Sequence, residues 1–314
     1  MGPLPIPIPS ALEELARHPS AATVLSSWRF DPVVVVAILL TGLVYLRAVR
    51  QVWQLRGRSS FPRARVLCFL TGLFVVYLAM ESPIHTYSGL LLSVHMAQHM
   101  VLTMIGAPLL VLGAPVTLAL EATSARTRRR LLLPMLRSRP VRVVGSPVFG
   151  WAAFALVLWG AHAPSMYELA LRNEGVHSLE HAAFLGTALL FWWPVVGLDP
   201  NPARLRHPGR ILYLFLAMPA MAVLGLALTG SDRLLYPYYA LASPSIGVPP
   251  IPDQQLAGAL MWEGSMLVTV LALALVLLDW MRREEREAER ADARLLRAPG
   301  PGAVGARVEG RAPT

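Results

Sequence analysis

The feature that most constrains this chain is a succession of seven apolar runs of about the length needed to cross a bilayer, the second of them short, separated by polar or Arg-rich connections. A hydrocarbon core of about 30 Å needs roughly 20 mostly apolar helical residues. The runs fall at Val33 to Trp53, Val66 to Glu81, Gly89 to Leu112, Val143 to His162, Gly175 to Leu198, Arg210 to Gly230 and Gln254 to Met281. Lipid offers the backbone no hydrogen-bond partner, so each run must close its own bonds as a helix. The expected fold class is all-α, a polytopic membrane bundle of seven helices. Pro108 predicts a kink or an early exit near the inner end of the third run.

Composition excludes the alternatives. Hydrophobic residues make up 55% of the 314 and charged residues only 15%, against about 25% charged in a soluble domain. The net charge of +9 is carried by 28 basic residues, all Arg, and they sit in short blocks between the runs rather than on a nucleic-acid-binding face. The first, third and fifth connections and the tail after Met281 hold 24 of them, whereas the opposite side holds Arg17, Arg29, Arg172 and Arg233. By the positive-inside rule the N-terminus is expected outside and the C-terminus in the cytoplasm, in a bacterial plasma membrane. Residues 1–31 form the extracytoplasmic segment, 32–281 the transmembrane domain and 282–314 a charged tail that continues as helix and loses order beyond Ala298. The start, MGPLPIPIPS, favours an extended conformation and lacks a signal-peptide pattern. Pro115 to Ser138 is basic and amphipathic, suited to lie along the inner lipid leaflet. The lone Cys68 excludes disulfides and thiolate clusters.

Ionisable residues inside membranes are costly, so their positions point to function. The third run carries His95 and His99 in SVHMAQHM and the fifth carries His177, Glu180 and His181 in HSLEH. Each histidine pair is spaced i, i+4 and so shares one helical face. His85 and Glu81 flank the outer end of the second run, His162 ends the fourth, and Glu263 lies within the seventh. Only His18 and His207 fall elsewhere. Two such pairs on separate helices can present imidazole nitrogens to one point, a metal or haem geometry. His95, His99, His177 and His181 are the candidate ligands, His85 and His162 the ligands for an arriving or departing ion, and Glu180, Glu263 and Glu81 the carboxylates that orient imidazole N–H groups. Imidazole suits zinc, copper and iron, while thioether selects Cu(I). Met96 and Met100, beside the histidines, are therefore possible soft ligands, and copper is favoured over zinc or haem. Ligation needs neutral imidazole, so binding is expected to weaken below about pH 6.

At these residues the chain resembles the seven-helix cytochrome c oxidase assembly factors of the CtaG (caa3) type. The likeness rests on SVHMAQHMVLTMIGAPLLVLGAPV at 93–116, HSLEHAAFLGTALLFWWPVVG at 177–197 and PDQQLAGALMWEGSM at 252–266. It implies a non-enzymatic role in maturing a haem-copper oxidase, with oxidase subunits as partners and an extracytoplasmic copper donor as a possible third party. Two other readings compete. HxxEH is also the inverted zinc-protease motif, with Glu180 as general base, and paired histidines on facing helices can bind haem for electron transfer.

Overall fold

The computed structural model describes residues 21–201 and 203–297. His18, the Pro-rich start and the residues beyond 297 lie outside them. The described residues are 83% helical and contain no strand. Six helices among them are long and apolar enough to cross a membrane, or seven if a pair bent by 75° counts as one span. They are α1 (Pro32–Arg56), α2 (Arg63–Glu81), α3 (Leu92–Ala122), α4 (Pro147–Ala161, turned by 75° into Pro164–Arg172), α5 (Glu174–Val196), α6 (His207–Thr229) and α7 (Pro250–Ala293). The chain divides into two units between Val270 and Leu271. The second is helical throughout its described residues, and the first contains everything discussed below.

The helix ends have local causes. Asp31 caps α1, its carboxylate accepting from the Val33 and Val34 amides, and Pro32 occupies the first turn, where its missing N–H costs nothing. Asn173 caps α5 through Val176, and left-handed Gly197 ends it. Large apolar side chains stay exposed along the spans, among them Val33 at 75% and Leu156 at 74%. Such a surface is stable only against lipid or another apolar partner.

Pro108 does not end α3. The helix loosens into a π-turn over Val101–Gly106 and continues through Ala107–Leu112. The regular helix is interrupted at Gly113 and left-handed Ala114, before Pro115–Ala122. In the widened register the absent N–H of Pro108 would have bonded the Thr103 carbonyl. The Trp192 indole from α5 donates to that carbonyl instead, at 2.9 Å. The proline is therefore absorbed by a neighbouring helix, as membrane interiors allow. Other helix pairs approach through glycine: a Cβ at Gly150 on α4 would stand 2.7 Å from the Leu190 carbonyl of α5, and one at Gly72 on α2 would stand 2.9 Å from the Leu110 amide of α3. Small residues at such positions let backbones pack in lipid.

Candidate metal centre

The first half of α3, the first half of α5, the end of α4 and the turn after α2 meet at one end of the bundle. His95 and His99 project from α3 toward His177 and His181 on α5. Ring centroids of His95 and His177 lie 5.3 Å apart, and those of His99 and His181 5.2 Å, so the two pairs face each other at matched depth. His95, His99 and His181 are buried, and the Glu180 side chain is only 8% exposed. Nε2 of His95 and Nε2 of His99 stand 2.7 Å apart. Ligand atoms of His95, His177 and Glu180 fall within 4.8 Å of one another, and Glu180 also approaches His99 at 3.9 Å. Glu180, expected to orient an imidazole from behind, thus stands among the ligand atoms themselves.

Several polar atoms here are buried without a hydrogen bond: Nδ1 of His95 and of His99, Nε2 of His177 and of His181, and Oε2 of Glu180. Each such atom in a folded protein costs about 1–3 kcal/mol. Five in one place are the mark of a site that binds something polar or cationic. Imidazoles and one carboxylate form a donor set that suits a transition-metal ion. Two nitrogens on one tetrahedral ion stand about 3.3 Å apart, so the His95–His99 contact must open slightly to share one.

His85 differs from the others. Its Nδ1 meets the Gln98 amide nitrogen at 2.9 Å and its Nε2 the Arg29 guanidinium at 3.1 Å, and Arg29 also pairs with Glu174. Both neighbours are donors, and a neutral imidazole accepts from only one of them, the other ring nitrogen carrying the proton; the ring also stacks on His177 at 5.6 Å. Burial, reinforced by the Arg29 charge, pushes this imidazole down to about 4, so it stays neutral at ordinary pH. His162 sits at the end of α4, Nδ1 on the Leu158 carbonyl at 2.7 Å and Nε2 facing the Met96 sulfur at 3.3 Å. Met96 thus meets His162 through its sulfur. Met100 lines a cavity with both.

Two expected carboxylates stand elsewhere. Glu81 is fully buried but accepts the Asp31 amide at 2.8 Å, tying the start of α1 to the end of α2. Glu263 is exposed.

The geometry also brings in residues that the histidine pattern did not flag. Gln98, inside HMAQH, donates to the Ala79 carbonyl as well as meeting His85. The connection between α6 and α7 closes this end with tyrosines: Tyr236 donates to the His162 carbonyl and Tyr239 to the Ser88 carbonyl. Burial raises both phenols above their ordinary value, which keeps them protonated donors. Tyr167 packs on His95 at 5.1 Å and on Tyr236 at 4.1 Å. The sequence signal for this lid was the Tyr-rich stretch YPYYA at 236–240. Asp253 accepts the Leu92 and Ser93 amides and so anchors the first turn of the helix that carries His95.

The chain matches the model of the cytochrome c oxidase caa3 assembly factor family (Caa3_CtaG) over residues 19–283. It belongs to that family. The six or seven apolar helices are in keeping with that membership. It is similar to uncharacterized proteins of Mycobacterium bovis (Mb0105) and Mycobacterium tuberculosis (MT0111), 32% identical to each over 290 residues. The uncharacterized Mycobacterium leprae protein ML1998 is 30% identical over the same length. Each match covers 89% of this chain but 43% of the relative, so the chain spans less than half the length of these proteins. No solved structure matches.

Proposed function

We propose that this chain is a non-enzymatic assembly factor that takes up copper as cargo at the centre formed by His95, His99, His177, His181 and Glu180, and releases it to a haem-copper oxidase. The single observation that carries the reading is the convergence of two i, i+4 histidine pairs with unpartnered buried nitrogens. An ion would satisfy those atoms together, and neutral imidazole is the ligating form. The Arg distribution supports an extracytoplasmic position for this end of the bundle, with the N-terminus outside. An extracytoplasmic copper donor and an externally facing copper centre on an oxidase subunit are the partners that position suits. His85 lies between Arg29 and Gln98, so an ion could reach its Nε2 only by displacing Arg29, which makes it the ligand for an arriving ion rather than a resident one.

The contacts disfavour haem. The histidine rings lie 4.3–5.3 Å apart across and along the helices, leaving no slot for a macrocycle between them. Zinc with peptidase chemistry through Glu180 would need substrate to reach a carboxylate that is 8% exposed.

The test is copper stoichiometry of the purified full chain, wild type beside His95→Ala and His177→Ala, with oxidase copper content measured in the same cells. Loss of copper from both variants together with copper-poor oxidase is expected. Full copper in both and a normally matured oxidase would overturn the proposal. A Soret band in the wild type would transfer the site to haem.

A further inference from the structure

Beside the histidine cluster the bundle encloses a second cavity with a different chemistry. Met96 and Met100 of α3, Met221 of α6 and Met261 of α7 line it, together with His99 and His162. It measures about 20 Å³, room for one water or one ion and for nothing organic. Met96, Met221 and Met261 are 1%, 5% and 3% exposed. Methionine commonly fills irregular core gaps, so convergence of thioethers alone would not define a site.

The contact between His162 and Met96 goes further. The Leu158 carbonyl only accepts, so the Nδ1 that meets it at 2.7 Å must carry the proton. In the neutral imidazole Nε2 is then the bare nitrogen. It faces the Met96 sulfur at 3.3 Å, and a thioether has no proton to give. Two lone-pair atoms therefore confront each other in a dry, buried place. A cation relieves that repulsion, and a nitrogen and a sulfur bound to one tetrahedral ion stand about 3.5 Å apart, using bond lengths near 2.0 and 2.3 Å. The hydroxyl of Thr103, also on the lining, is spent on the His99 carbonyl at 2.7 Å. The soft donors are what remains.

We propose that this cavity is a second, Cu(I)-selective site, held by Met96 Sδ and His162 Nε2 with Met221 and Met261, and linked to the histidine centre through His99, which borders both. Thioether ligation selects Cu(I) over Zn(II). The inference rests on the copper reading above only for the identity of the metal. It assigns Met221 and Met261 a role as ligands and separates His162 from the four facing histidines.

The full chain in detergent is loaded with Cu(I) under reducing, anaerobic conditions and separately with Zn(II), and the metal environment is read by X-ray absorption. Cu(I) should show sulfur scattering near 2.3 Å, and Zn(II) only nitrogen and oxygen. Met96→Leu and the double variant Met221→Leu/Met261→Leu conserve volume and are checked for folding by size-exclusion chromatography. Each should reduce the sulfur signal, the double variant more than Met96→Leu, and weaken Cu(I) binding by roughly 10-fold or more, the least expected for a direct ligand when outer partners already cost that much. Zn(II) affinity should stay unchanged. Copper bound through nitrogen alone in wild type, a sulfur signal undiminished in both variants, or no Cu(I) uptake overturns this site. If instead sulfur-bound Cu(I) persists in His95→Ala and His177→Ala while total copper is undiminished, the thioether site stands and the histidine centre falls.

Discussion

Replacing Gly258 with alanine attacks the contact that holds α6 and α7 together. A Cβ there would lie 2.5 Å from the Gly225 carbonyl oxygen, 2.5 Å from the Thr229 hydroxyl and 2.6 Å from the Thr229 amide. Two of these are backbone atoms, and the hydroxyl is tethered to the Gly225 carbonyl at 2.9 Å, so no flexible side chain can swing away. The reciprocal position is equally tight, since a Cβ on Gly225 would meet the Trp262 Cβ at 2.7 Å and the Gly258 carbonyl at 2.8 Å. Restoring ordinary contact requires the helices to part by roughly 0.5–0.9 Å, a cost of about 1–3 kcal/mol for overpacking. The better helix propensity of alanine returns up to about 1 kcal/mol. The net expectation is a loss of about 1–2 kcal/mol, read by thermal or denaturant unfolding in detergent. Gly186→Ala on α5 is the internal control, because a Cβ there meets nothing within 4 Å. It should be neutral or stabilising by about 0.5–1 kcal/mol. Equal stability of the two variants would refute the close approach of α6 and α7, and with it the position of Met261 one turn from that contact.

Trp192→Phe removes the indole that serves the Thr103 carbonyl beside Pro108, leaving a buried acceptor unpaired at a cost of about 1–3 kcal/mol; unfolding in detergent measures it, and an unchanged midpoint would mean that the carbonyl finds another donor. Asp253→Ala strips the buried carboxylate that accepts from Leu92 and Ser93, and should cost about 2 kcal/mol by loss of a cap and of charge-assisted bonds. Because that cap anchors the turn bearing His95, metal content of the Asp253→Ala protein should fall in parallel with stability, and full metal with full stability would contradict the assignment.

The spans were legible because apolar length is a local property. Each run has about the needed length by itself, and neighbours alter only its ends, as when α1 extends from the expected Val33 to Trp53 to Pro32–Arg56. Pro108 was legible as a disturbance but not as its outcome. Whether a proline breaks a helix or is absorbed depends on a donor from another helix, here Trp192, which lies 84 positions further along the chain. The histidine pairs were legible as pairs, since i, i+4 spacing places both rings on one face. Glu81 and Glu263 were grouped with them by depth alone, and depth does not fix azimuth around a helix. One carboxylate turned to the Asp31 amide and the other to the exposed surface. Gln98 lay unremarked between two histidines, because an amide carries no charge penalty to draw attention to it.

The linear order of residues thus settled the helical class, the approximate places of the spans and the faces on which His95, His99, His177 and His181 stand, because these follow from short-range periodicity and from the cost of polar groups in lipid. It left open which faces would meet. That was decided by packing, through close approaches such as Gly150 against the Leu190 carbonyl and Gly72 against the Leu110 amide, which set the partners and rotation of each helix. Rotation is a collective result of every contact along an interface, and no single residue encodes it. The meeting of α3 and α5 histidines, and the sulfur-lined cavity beside them, exist only once that rotation is set.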